Sequence, residues 1–141
     1  MKKFITTVII FFLLLSCEKS ATTNRNPFVP YFPFSLTLNL NLPSYANLNS
    51  NVSPMLITDP NAGVSGLILM KISDGDFRAW EANCPNHAPS ACSRMTISGL
   101  NAKCACDDKV YSLFTGIGDA QYPMIAYRVE ILGNNSIRIS N

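Results

Sequence analysis

The chain has 141 residues, with 11 Lys and Arg against 9 Asp and Glu. Lys2 and Lys3 account for the whole positive excess, so the remainder is neutral and has no basic run. That excludes the electrostatic footprint of a nucleic-acid binder. The length left after a leader suits one domain with a modest core.

Lys2 and Lys3 open the sequence, an apolar stretch runs from Val8 to Leu15, and Leu14-Leu15-Ser16-Cys17 follows as a cleavage site. A plain membrane anchor would need roughly 20 apolar residues, and the run from Phe4 to Leu15 is shorter. With a cysteine just after the cut, the segment resembles a bacterial lipoprotein signal. The resemblance implies removal of residues 1–16, acylation of Cys17, and attachment to a lipid membrane in the bacterial cell envelope. The expected place is the outer membrane, on its periplasmic or surface side. Residues 17–33 then form the acylated N-terminus and a tether, since Glu18 to Pro33 is polar, then Pro- and aromatic-rich, without helical or strand period.

From residue 34 to 141 the pattern predicts one all-β domain. Phe34 to Leu42 alternates apolar and polar residues, as a strand with one buried face requires, and Pro43 stops it. Short β-rich runs follow at Met55–Thr58, Leu67–Ile72, Phe77–Ala82, Arg94–Ile97, Val110–Phe114, Tyr127–Leu132 and Ile137–Ile139. Asp74-Gly75 and Gly133-Asn134-Asn135 read as hairpin turns. No helical stripe lasts more than about two turns, so the expected architecture is an antiparallel sandwich or barrel.

The chemistry concentrates in two clusters, Cys84 to Cys92 with the single histidine, His87, and Cys104 to Asp108. A hairpin between them would bring the clusters face to face. Four cysteines beyond Cys17 in an oxidising compartment permit a metal cluster or two disulfides. A tetrathiolate zinc site at Cys84, Cys92, Cys104 and Cys106 is disfavoured because Cys-x-Cys is short for a zinc knuckle.

The half from Val64 onward resembles a Rieske domain. Phe77-Arg-Ala-Trp-Glu-Ala-Asn-Cys-Pro85 is similar to the run entering that family's first cluster loop. Lys103-Cys-Ala-Cys-Asp-Asp-Lys-Val-Tyr-Ser-Leu-Phe-Thr-Gly116 is similar to its second loop, and Tyr122 to Ile131, a turn and Ile137-Arg-Ile139 to its closing hairpin. The resemblance implies a β-sandwich or barrel with a small cysteine-bearing loop subdomain. It places Cys84 and Cys104 as cysteine ligands of a 2Fe-2S cluster, and Cys92 and Cys106 as a disulfide tying the loops together.

A Rieske centre takes two cysteines and two histidines. Here Asn86 stands at the first histidine offset with His87 one residue later, and Asp107 stands at the second. The implied ligand set is therefore Cys84, Cys104, Asp107 and His87. Two functions follow: electron transfer through a 2Fe-2S or variant cluster to a redox partner the sequence does not name, or a binding or structural lipoprotein with no cofactor, in which Cys84 and Cys104 form a second bridge.

A lone His87 after Pro-Asn also suits a solvated turn, and adjacent Asp107 and Asp108 point apart in most turns. Trp80, Tyr111 and Phe114, at strand spacing, are expected to pack in the core or across strands. No hydrolytic constellation and no Gly-rich phosphate loop is present, so the chain is not expected to be an enzyme.

Overall fold

A computed structural model describes residues 26–141. The expected signal segment and Cys17 lie outside the described residues. Among the described residues, nine strands form two antiparallel sheets: β1 Ser35–Asn39, β2 Pro54–Ile57, β3 Leu67–Ser73, β4 Asp76–Glu81, β5 Thr96–Ser98, β6 Asn101–Lys103, β7 Val110–Ser112, β8 Ala126–Gly133 and β9 Ser136–Ser140. The larger sheet runs β1-β9-β8-β4-β3-β2 and the smaller β5-β6-β7. No helix among the described residues is long and apolar enough to cross a membrane.

Two hairpins carry the larger sheet. β3 and β4 turn at Asp74-Gly75, where Gly75 takes φ +78°. β8 and β9 turn at Gly133-Asn134-Asn135, with all three residues at positive φ. Glycine and asparagine enter that region at the least steric cost, which is why the turns were legible.

β3 explains how one sheet serves two cores. Successive side chains of a strand point to opposite faces. Leu67 and Leu69 therefore enter one apolar cluster with Leu38, Leu48 and Ile137, while Ile68 and Met70 enter another with Trp80, Met95 and Tyr111. The second cluster seats the smaller sheet and its loops, and the Trp80 indole N–H donates to the Leu113 carbonyl at 2.9 Å across it. Gly116 passes the same indole with φ +71°, so close that a Cβ there would lie 2.5 Å from a ring carbon.

Two expectations are corrected in detail. β1 ends at Asn39 rather than Leu42. Leu40 is still buried, and its N–H donates to Asn135 O at 2.8 Å, but Leu42 is exposed where the chain turns into a 3₁₀ segment, Pro43–Asn49. Phe114 is exposed rather than packed. β7 ends at Ser112, and the turn that follows, closed by Gly116 N–H to Ser112 O at 2.7 Å, sends the neighbouring Leu113 inward instead. Trp80 and Tyr111 are buried as expected. The expected tether, from Asn26 onward, lies along the cysteine-bearing subdomain. Asn26 Nδ2 donates to Pro85 O at 2.7 Å, Val29 is buried, and Phe28 meets Tyr122 edge-on at 5.8 Å.

Candidate functional site

The first cysteine loop leaves the end of β4, and the second joins β6 to β7. Glu81, the last residue of β4, is fully buried and accepts four hydrogen bonds. Val64 N–H and the Tyr127 hydroxyl reach Oε2 at 2.7 and 2.6 Å, and Ser65 N–H and Asn83 N–H reach Oε1 at 2.9 and 2.8 Å. A buried carboxylate needs such compensation. Burial first, and then the Glu81 charge, push the Tyr127 hydroxyl well above the usual phenol range, so it stays a donor.

Asn83 carries the order outward. Its Nδ2 donates to Cys84 O at 2.9 Å and His87 O at 2.8 Å, while its Oδ1 accepts from Ser93 Oγ at 2.7 Å and Ser65 Oγ at 3.1 Å. Cys84 N–H donates to Ser93 O at 2.6 Å. The loop is thus fixed at both ends before any sulfur is considered. In the second loop, Cys104 N–H donates to Lys109 O at 2.9 Å, and Lys109 N–H donates to Asp107 Oδ1 at 3.1 Å.

The loops meet through both cysteine pairs. Cys84 is bonded to Cys104 with Cα atoms 5.6 Å apart, and Cys92 to Cys106 with Cα atoms 5.1 Å apart. Cys84 and Cys104 are fully buried, whereas Cys92 is exposed and Cys106 half-buried. Beside the buried bond, His87 Nε2 and Asp107 Oδ2 lie 2.9 Å apart, both part-exposed. Burial works to raise the Asp107 pKa. The hydrogen bonds from His87 and Lys109 N–H, with the attraction of both residues' charges, outweigh it and hold the carboxyl below its usual value. Asp108 turns away at φ +58° and pairs with Lys103 at 2.7 Å.

Asn86, at the offset where a Rieske loop carries its first histidine, is fully committed to packing the loop. Its Nδ2 donates to the Tyr111 hydroxyl at 2.9 Å and to Tyr122 O at 3.0 Å, and its Oδ1 accepts from Tyr122 N–H at 3.0 Å. The donor set therefore does not fit a Rieske cluster. The two sulfurs that would hold one iron hold each other, and the other iron has one imidazole and a carboxylate that already bond to each other.

The structure bonds Cys84 to Cys104 and Cys92 to Cys106, and groups His87 and Asp107 with Cys104. Sequence reasoning missed Glu81, Asn83 and Ser93, which fix the loops. Asn86 was noticed only as a departure from the family pattern, although the departure itself marked a residue with a different task.

No protein-family model and no curated protein matches the chain. Solved structures similar to it include the following two. One is a chain from the complex of reduced oxygenase and oxidised ferredoxin in carbazole 1,9a-dioxygenase, at 15% identity and TM-score 0.47, covering 79% of this chain and 94% of that one. The other is a protein assigned as an NADH-dependent nitrite reductase small subunit from Mycobacterium tuberculosis, at 13% identity and TM-score 0.46, covering 79% of this chain and 97% of that one. The described domain is all-β, built of antiparallel strands. Its own connectivity runs as the sequence resemblance implied: a hairpin into the first cysteine loop, a second loop between short strands, and a closing hairpin that returns to the large sheet.

Proposed function

We propose that this chain is a lipid-anchored cell-envelope protein whose Rieske-type domain is a disulfide-stapled binding or structural module without a cluster. The observation that carries this reading is the Cys84–Cys104 bond at the place where the cysteine ligands of a cluster would sit. A sulfur in a disulfide has no thiolate charge to offer iron. The inward-facing hydrogen bonds of Asn86 support it, because that residue is the local substitute for an imidazole and is already satisfied.

The test is an iron and acid-labile sulfide assay on the full chain carrying Cys17→Ser. A colourless protein with neither is expected. Stoichiometric iron and sulfide with a red-brown colour would overturn the reading in favour of electron transfer. One observation favours that second function: the ligand atoms of His87, Cys104 and Asp107 lie within 4.8 Å of one another. In that case Cys84→Ser should bleach the protein, and its spectrum should differ from that of a two-histidine centre.

The anchor rests on Leu14-Leu15-Ser16-Cys17. In cells fed labelled palmitate the wild-type chain should be processed and labelled, while Cys17→Ser should accumulate as an unlabelled precursor. Continued labelling of that variant would defeat the assignment.

A further inference from the structure

We propose that the two disulfides form a relay: reduction of the surface bond Cys92–Cys106 frees Cys106 to open the buried bond Cys84–Cys104. This rests on the disulfide reading above. Thiol–disulfide exchange needs a thiolate to reach a sulfur, and Cys84 and Cys104 are fully buried, closed to any outside thiol. Cys92 is exposed. The connection between the two bonds is Cys106, since the sulfurs of Cys84, Cys104 and Cys106 all lie within 4.8 Å of one another. Two independent staples would not need their sulfurs so grouped.

Exposure sets the direction of the first step. Cys92 is exposed and Cys106 half-buried, so Cys92 is the sulfur attacked and Cys106 the one that leaves. A disulfide sulfur carries no proton, so the Ser90 hydroxyl is the donor to the pair; its Oγ lies 3.4 Å from Cys92 Sγ and 3.9 Å from Cys106 Sγ, and its backbone N–H is held by Ser93 Oγ at 2.8 Å.

The chemistry balances with a dithiol as reductant. Its thiolate attacks Cys92 Sγ; the new mixed disulfide forms, the Cys92–Cys106 bond breaks, and the electron pair leaves on Cys106. The second thiol of the reductant closes its own disulfide and releases Cys92, which takes a proton from water. The Cys106 thiolate then attacks the buried bond. Attack on Cys84 forms Cys84–Cys106, breaks Cys84–Cys104 and leaves the pair on Cys104. One dithiol has been oxidised and two electrons have entered the protein. The surviving bond now includes the half-buried Cys106, where a second dithiol can act, so the domain passes reducing equivalents between its surface and its interior.

The experiment uses the full chain carrying Cys17→Ser, with dithiothreitol as the probe, rapid alkylation and peptide mapping of each bond. Thiols are counted before reductant is added. Free thiols or bound iron at that point would mean that the disulfide reading has failed, a result distinct from failure of the relay. In Cys92→Ala/Cys106→Ala, the buried bond should be reduced more slowly than in the parent, by on the order of tenfold or more. Independent staples predict the opposite, because removing the surface bond loosens the loops; an equal or faster rate overturns the relay. Cys92→Ala alone keeps the test decisive should the double variant not fold. It should exchange without reductant and yield peptides joined Cys84–Cys106 or Cys104–Cys106, whereas Cys84–Cys104 alone with Cys106 free overturns the proposal.

Discussion

Glu81→Ala is expected to cost about 4 kcal/mol, a large share of the roughly 5–15 kcal/mol that holds a domain folded. The carboxylate is fully buried and accepts from three backbone N–H groups and the Tyr127 hydroxyl. Truncation strands these donors, and each buried donor left unpaired costs about 1–3 kcal/mol. Partial rescue by entering water keeps the total below the simple sum. Gly63 shows how tightly the loop is drawn around the group: a Cβ there would lie 2.7 Å from Glu81 Oε2.

Glu81→Gln separates hydrogen bonding from shape. The amide keeps one acceptor oxygen but turns an NH₂ toward donors that a carboxylate satisfied, so a cost of about 2 kcal/mol is expected. Chemical denaturation of both variants at neutral pH measures the difference. A loss below about 1 kcal/mol for Glu81→Ala would show that the four bonds contribute little, contrary to the cost of unpaired buried donors.

Glu81 also marks where the sequence stops being legible. Phe77 to Ala82 reads as a strand from its β-rich composition after the Asp-Gly turn, within one residue of the observed Asp76–Glu81, but nothing in that run announces a buried carboxylate. The compensating N–H groups of Val64 and Ser65 come from a loop far upstream, and only folding brings them near. β6 was missed for a different reason. Asn101-Ala102-Lys103 buries only Ala102 fully, and three residues are too few to show a period. β3 was clear, since a short apolar run between turn signals suits a strand covered on both faces.

The cysteines were legible as a set but not as a chemistry. Resemblance implied Cys92 with Cys106, and the structure pairs them. Cys84 and Cys104 face each other as well, yet two facing sulfurs serve a disulfide or a metal equally in sequence. What distinguishes the cases lies in the neighbours. Asn86 spends its polar atoms on Tyr111 and Tyr122, and His87 spends its Nε2 on Asp107, so each is satisfied without a ligand.

Removing the buried pair as Cys84→Ala/Cys104→Ala is expected to cost about 4–5 kcal/mol, against about 3 kcal/mol for Cys92→Ala/Cys106→Ala. The sequence separations of 20 and 14 residues would by themselves favour the Cys84–Cys104 bridge only slightly. The same small difference holds when the other bridge is intact, because the doubly bridged chain is common to both removals. Burial makes the difference. The Cys84 and Cys104 side chains are packed with Trp80, Met95, Tyr111 and Leu113, so truncation leaves a void that the exposed pair does not. Denaturant midpoints of the two double variants, with m-values checked for equality, measure the gap. A surface pair costing as much as the buried one would mean that the sulfurs contribute through chain restriction alone, and that the packing around Cys84 and Cys104 adds nothing.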